Sequence, residues 1–367
     1  MKAPSLTIGV EEEYQIIDPA SRELKSYITQ ILDEDHLVLS QVKPELHQSM
    51  VEVASTVCAT PADLRAELGR LRRDILGLVN KHGLTIAAAG THPFSSWISQ
   101  DITPFERYLG VREQMAEMAQ RLLIFGTHVH IGIEDREFLI DALNVSRYFV
   151  PHLLCLSTSS PFWMRRNTGL KSYRSVVFRG FPRTGIPRPL RSWSEYADLV
   201  DTMTRMNCIP DGTKIWWDVR PNWSYPTLEF RVCDVCTRVD EAVCIAAILQ
   251  AIIAKLWKLR RDNMTFRVYA SDFIEENKWR AVRYGLDGQM VDFGKEVELP
   301  ARTLIRELIE WFIADVVDEL GSRKEVEYAF RILEEGTSAD RQLATFAATG
   351  SYEAVVDRVI SETAEGL

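Results

Sequence analysis

Apolar and polar residues alternate singly along residues 6–17, LTIGVEEEYQII, and this period of two predicts a strand with chemically different faces. Ile8, Val10, Tyr14 and Ile16 share one face, with Glu12 among them, while Gly9, Glu11, Glu13 and Gln15 share the other. A second strand is predicted near 46–55. Thr60-Pro61-Ala62-Asp63 reads as a helix start, with Thr as N-cap, Pro in the first turn and Asp at the dipole-favoured end. That helix should run to about Lys81 and stop near Gly83. The pattern then predicts a strand at Leu84–Gly90, a helix at Glu113–Gln120, a strand at Leu122–Ile133 and a long, mostly apolar helix over 136–156. Residues 157–213 read as irregular and rich in Pro, Gly and Arg; loops of such length are usually functional. Strands follow at Ile215–Arg220 and Thr227–Asp234. From about 238 nearly everything reads as helix: 240–262, 272–284, 299–319, 323–335 and short helices to the end.

Strands early and helices late predict an α+β architecture with a mixed or antiparallel sheet. We expect one domain, sheet-rich over 1–235 and helical over 236–367. Regular βαβ alternation is missing, which argues against a doubly wound nucleotide-binding fold.

Composition narrows the function. Of 367 residues 46% are apolar and 26% charged, enough for a sizeable core. The formal charge of −9 argues against a nucleic-acid surface, which needs a basic field. No run of about 18 apolar residues is evident, so no membrane span is expected. The N-terminus goes straight into a charged strand without room for a signal peptide, and a cytoplasmic enzyme is the default. Six cysteines are scattered, and only Cys233-Asp-Val-Cys236 has metal-like spacing. A structural zinc site wants a second close pair, so reduced, mostly buried thiols are expected.

Four predicted strands carry the candidate chemistry. In the first, Glu11 and Glu13 repel each other unless a cation lies between them; the bland alternative is a solvent-facing strand with scattered charges. In the second, Glu45 and Glu52 are seven residues apart and point to opposite faces of a perfect strand. Either a bulge intervenes or Glu45 precedes the strand. In the third, Gly126, His128, His130 and Gly132 share a face, and the small glycines leave space for a ligand beside two imidazoles. In the fourth, Glu229 and Arg231 oppose Leu228, Phe230 and Val232; alone, that pair reads as a cross-strand salt bridge. Together the strands offer Glu11, Glu13, Glu52, His128 and Glu229, a donor set that suits Mg²⁺ or Mn²⁺ better than zinc. No GxxxxGK[ST] or GxGxxG motif is present, so phosphates would be held by metal and by cations. The irregular segment supplies Arg165, Arg166, Lys171, Arg174, Arg179, Arg183, Arg188 and Arg191; Arg220 and Arg231 are better placed beside Glu229.

These motifs carry a resemblance. GVEEEY at 9–14, ELHQSMVEVAS at 45–55, GTHPFSSW at 90–97, FGTHVHIGI at 125–133, LLCLSTSSPFW at 153–163, SYRS at 172–175 and RPNWSYPTLEFRVCDV at 220–235 are co-linear with the second glutamate–cysteine ligase family, whose short bacterial members are carboxylate–amine ligases. Each motif is weak alone, and seven in order are specific. The resemblance implies a glutamine-synthetase-like fold, a curved and largely antiparallel sheet forming a funnel with helices packed outside. It implies that ATP phosphorylates a carboxylate, in the wider family the γ-carboxylate of glutamate, and that an amine such as cysteine attacks the acyl phosphate. Weak glutamate–cysteine ligase activity is implied for this type. Carried over by motif, the metal ligands are Glu11, Glu13, Glu52, His128 and Glu229, with Arg231 and Glu229 as catalytic residues. Arg174, Lys171 and Arg220 are the candidates for holding ATP. The implied partners are small amino-acid and amine substrates, with a homo-oligomer, a dimer favoured. The rival readings are a guanidino-type phosphotransferase and a non-catalytic binding protein on the same scaffold.

Overall fold

The structure, a computed structural model, describes residues 2–34 and 41–367. Seven short runs of alternating or apolar sequence form its main sheet: β1 (Ile8–Ile17), β2 (Val42–Pro44), β3 (Met50–Ala54), β4 (Thr85–Ala87), β5 (Thr127–Gly132), β6 (Val219–Pro221) and β7 (Thr227–Phe230). The order is β6-β7-β5-β1-β3-β2, with β4 also on β1, and every pairing is antiparallel. The predicted α+β class and antiparallel sheet with external helices are found.

One face of the sheet is buried under helices. Val239–Arg261 lies against β1 and β5, and Pro61–Asn80 against β1 and β4. The first is apolar all round, with Asp240 and Glu241 in its first turn and Lys258, Arg260 and Arg261 in its last, so its charges complement the helix dipole. Among the described residues it is the one helix long and apolar enough to cross a membrane, and 83% of its apolar window is buried inside the protein. Gln250, Lys255 and Lys258 interrupt its apolar run, which is why the run went unseen in the sequence. Pro61–Asn80 begins as predicted: the Thr60 hydroxyl accepts from the Asp63 N–H at 3.1 Å, and the Asp63 carboxylate accepts from the Thr60 N–H at 3.1 Å.

Alternation in β1 holds through the acidic triplet. Ile8, Val10, Tyr14 and Ile16 are buried against the helices, and Glu12 is buried with them. A carboxylate there needs a cation. Arg72, from the helix Pro61–Asn80, bonds Glu12 through Nη2 at 2.5 Å and Nε at 3.1 Å. Its remaining donors reach the carbonyls of Thr237 at 2.6 Å and Cys236 at 2.9 Å. Glu11 and Glu13 are thereby turned to the opposite, open face.

Elsewhere the boundaries shift for identifiable reasons. The predicted strand Leu122–Ile133 shrinks to β5, because the run before it plugs the core. Leu123 and Phe125 are buried, and the Phe125 N–H donates to the Gly90 carbonyl at 3.0 Å rather than to the sheet. The expected helix Glu113–Gln120 is two helices, Glu106–Met115 and Glu117–Arg121, broken at Ala116 (φ 51°, ψ −129°). Pro151 interrupts 136–156, which runs as Arg136–Ser146, a tight turn and Val150–Ser157. The irregular segment hides two helices, Tyr173–Arg179 and Trp193–Arg205, each opened by a serine cap, Ser172 and Ser192. A hairpin, Gln289–Asp292 with Val297–Pro300, precedes the late helices and was unforeseen.

Candidate active site

The open face of the sheet carries a grid of charged residues fixed by strand register. Arg220 lies beside Glu229, and Glu229 beside His130. Glu11 lies beside His128, Glu13 beside Glu52, and Glu52 beside Lys43. Period-two alternation in six strands thus gathers residues from 11 to 229 above one floor. Over it lies a cavity of about 450 Å³, lined by Glu11, Glu13, Glu45, Glu52, His128, Arg174, Arg220, Glu229 and Arg231. Of the residues expected to bind metal, hold ATP or take part in catalysis, only Lys171 does not line it. Its ammonium is engaged by Asp340, with Asp287 at 3.6 Å.

Glu45, whose seven-residue spacing from Glu52 was awkward, follows β2 directly and precedes β3, so it escapes strand alternation and turns toward the same cavity. Four carboxylates therefore meet, and three resist ionisation. Burial, then the Glu45 charge, pushes Glu13 up to about 7. Burial, then Glu11, Glu45 and Glu13, holds Glu52 well above the carboxylate range. Burial also raises Glu45. Glu11 behaves oppositely: burial pushes it up, but the His128 hydrogen bond and the neighbouring His130 bring it well below its usual value. His128 is itself lowered to about 4 by burial and the Arg231 charge. A neutral His128 thus meets an ionised Glu11, with Nδ1 at 3.2 Å from Oε2. His130 places Nδ1 3.1 Å from the Thr227 hydroxyl and keeps a buried, unpartnered Nε2 3.8 Å from Glu11. Ligand atoms of Glu11, His130 and Glu229 lie within 4.8 Å of one another, the spacing of a cation site. Repelling carboxylates beside an imidazole nitrogen without a partner fit a divalent cation.

Glu229 is locked. Arg220 donates to it from Nε at 3.0 Å and Nη2 at 3.1 Å, Asn222 from Nδ2 at 2.8 Å, and Arg231 from Nη1. Burial opposes its charge, but Arg231 and then Arg220 hold the carboxyl well below the usual range. Arg220 spends Nη1 on the carbonyls of Thr213 at 2.9 Å and Ile215 at 2.6 Å, so it orients Glu229 more than it offers donors to a ligand. Arg231 keeps an unpartnered Nε. Arg174 is a cation without a carboxylate partner. Its Nη1 and Nη2 donate to the carbonyls of Val232 at 3.2 Å and Arg231 at 3.1 Å, its Nε has no partner, and no carboxylate lies within ion-pair distance among the described residues. The glycines beside the imidazoles leave no space for a ligand. A Cβ on Gly126 would lie 2.4 Å from Arg174 Nη2, and one on Gly132 would meet the Ser5 and Thr7 hydroxyls at 2.4 Å.

Most other arginines of the 157–213 segment serve the fold. Arg165 pairs with Glu353 at 3.0 Å, Arg179 with Glu275 at 2.6 Å, and Arg188 with Glu195. Sequence reasoning passed over Arg107, Lys214 and Asn222, which line the cavity from loops and a helix without a periodic signal.

The model of glutamate–cysteine ligase family 2 matches residues 7–358. The chain belongs to this family. It is 58% identical over 362 residues to a protein of Roseiflexus sp. (strain RS-1), covering 98% of this chain and 95% of that one. A Solibacter usitatus protein is 52% identical, covering 99% and 95%. Both are provisionally named glutamate–cysteine ligase 2. Among solved structures, glutamate–cysteine ligase from Francisella tularensis in complex with AMP superposes with a TM-score of 0.67 at 12% identity, covering all of this chain and 90% of that one. A bifunctional glutathione synthetase from Pasteurella multocida gives 0.66 at 13%, covering 98% and 52%. At such identity the two structures speak for the fold. Family membership makes the chain an ATP-dependent carboxylate–amine ligase of the glutamate–cysteine ligase type, acting on small molecules.

Proposed function

We propose that this ligase activates a carboxylate, the γ-carboxylate of glutamate, as an acyl phosphate and joins it to an amine such as cysteine, with weak glutamate–cysteine ligase activity. The observation that carries the reading is one cavity holding four mutually repelling carboxylates and, facing them, two guanidinium groups with free donors. In the first step a substrate carboxylate oxygen attacks the γ-phosphorus of ATP, and the bond from that phosphorus to the ADP oxygen breaks. In the second the amine nitrogen attacks the acyl carbon, phosphate leaves with the bonding pair, and the nitrogen gives up a proton. Two anions must approach in the first step, so charge neutralisation dominates. Glu11, Glu13, Glu52, Glu229 and His128 would hold Mg²⁺ or Mn²⁺ by family resemblance, with Glu45 and His130 adjoining by position. Such ions, when bound, supply positive charge between the reactants. Arg174 and Arg231 present donors to phosphate or carboxylate oxygens, and Arg220 keeps Glu229 oriented. We read the chain as a single catalytic unit, since the helix Val239–Arg261 packs beneath the cavity floor and carries later helices against it.

The test is ADP release from Mg-ATP across a panel of amino acids with hydroxylamine as a surrogate amine. Acyl-hydroxamate should form with the acid that is activated, glutamate first. Failure with every acid would sink the acyl-phosphate reading. Glu11→Gln and Glu229→Gln should abolish ADP release while the proteins stay folded, and near-normal release from either would remove that residue from the site.

A further inference from the structure

Arg174 is held in the cavity without a carboxylate of its own, and a second buried acid behind it fixes its place. Asp234, three residues beyond Arg231, is fully buried. Its Oδ2 accepts from the Ser159 N–H at 2.9 Å and the Ser160 hydroxyl at 2.7 Å, and its Oδ1 accepts from the Ser172 hydroxyl at 2.7 Å. The Ser160 hydroxyl, its proton committed to Asp234, accepts from the Arg174 backbone N–H at 3.0 Å. Ser172 caps the helix Tyr173–Arg179, accepting from the Ser175 N–H. Both hydroxyls are thus oriented by one carboxylate, and together they set the first turn of the helix that carries Arg174. Asp234 packs closely on Gly90, where a Cβ would fall 2.8 Å from its Cγ.

A carboxylate in direct contact would neutralise the guanidinium and occupy its donors, as Asp340 does to Lys171. Asp234 instead spends its oxygens on Ser159, Ser160 and Ser172, makes no ion pair with Arg174 and leaves the guanidinium Nε free.

We propose that Asp234 is a positioning residue for the ligase reaction, which through Ser160 and Ser172 fixes the point at which Arg174 meets the phosphates of ATP. The inference rests on the reading of Arg174 given above. It is tested by the affinity of the full chain for the Mg²⁺ complex of a non-hydrolysable ATP analogue, AMP-PNP, measured by calorimetry for four proteins: the native one, Arg174→Ala, Asp234→Asn and the double variant. Arg174→Ala should weaken binding about tenfold or more, the loss of a charged hydrogen-bond donor. Asp234→Asn should weaken it about threefold or more, and the double variant should bind no more weakly than Arg174→Ala alone. A loss from Asp234→Asn that persists undiminished in the Arg174→Ala background would mean a general structural role and overturn the proposal, as would native affinity in Asp234→Asn. Native affinity in Arg174→Ala would instead overturn the anion-binding role of Arg174, and the proposal with it. Where Asp234→Asn does not fold, Ser160→Ala breaks the same relay at the Arg174 N–H and is read against the same outcomes.

Discussion

Adjacent glutamates in β1 do opposite work, and replacing the partner of the middle one exposes the difference. In Arg72→Met a buried side chain is replaced by one of similar length that offers no donor, and Glu12, fully buried, loses its cation. Breaking a buried ion pair from one side costs about 3–5 kcal/mol. The carbonyls of Thr237 and Cys236, which take Arg72 donors at 2.6 and 2.9 Å, are orphaned as well, at about 1 kcal/mol each or more. With an unfolding entropy of about 2.1 cal/mol/K per residue over 367 residues, a loss of about 5 kcal/mol lowers Tm by roughly 6–7 °C. Adding Glu12→Leu removes the stranded carboxylate and leaves the orphaned carbonyls and the Tyr14 hydroxyl, which bonds both side chains, so the double variant should recover part of the loss. Turnover below the melting range should stay near native in both, because Glu12 and Arg72 face the helices and not the cavity. Thermal melts of the two single variants and the double variant form the cycle. An Arg72→Met loss under about 1 kcal/mol, or a double variant less stable than Arg72→Met, would refute the claim that Arg72 neutralises Glu12.

Other consequences follow from the same geometry. Gly126→Ala places a methyl 2.4 Å from Arg174 Nη2; the guanidinium, at the end of a flexible chain, should yield, so AMP-PNP affinity should fall about tenfold with the fold retained, and native affinity would contradict the close approach. His92 is lowered to about 3 by burial, with Nδ1 accepting from the N–H groups of Ser95 at 2.9 Å and Phe94 at 3.2 Å and Nε2 2.9 Å from the Arg22 carbonyl. A depressed histidine stabilises fully above its unfolded value of about 6.5 and loses that stability as pH falls toward 3; about 2 kcal/mol should be gone at pH 5. Urea unfolding at pH 7 and pH 5 should show that drop, diminished in His92→Gln, and equal drops in both proteins would exclude His92 as the source. Cys208 is exposed and the other five thiols are buried, with burial pushing Cys233 up to about 11 and Cys155 to about 12. One thiol per native chain should react with a disulfide reagent and six after unfolding; bound zinc or a second fast thiol would contradict this.

The legible part of this protein was whatever period and capping encode. Alternation separated Glu12 from Glu11 and Glu13, since in a strand the facing of each residue follows from its neighbours. The Thr60–Asp63 cap and the long helix Val239–Arg261 were placed to within a residue or two for a similar local reason. Glu45 was not placed, because it sits just outside a strand, where no period governs its direction. The two helices between 157 and 213 were missed because the prolines, glycines and arginines around them masked their pattern, and Tyr173–Arg179 is short besides; each opens on a single serine cap.

What a local pattern does not encode is whether a charge is spent. Lys171 and Arg174 are three residues apart in one basic segment and were equal candidates for ATP. Lys171 meets Asp340, 169 positions away in sequence, and its charge is used by the fold. Arg174 meets carbonyls and the Phe178 ring but no carboxylate among the described residues. The same separation sorts the acids. Glu12 has Arg72 and Glu229 has two arginines and an asparagine, whereas Glu13, Glu45 and Glu52 are held above their normal range by burial and by the charges of neighbouring glutamates. A buried charge without a partner is costly. A fold that keeps several of opposite sign facing one cavity is therefore balanced only when cations and anions enter it together, as a metal–nucleotide complex does.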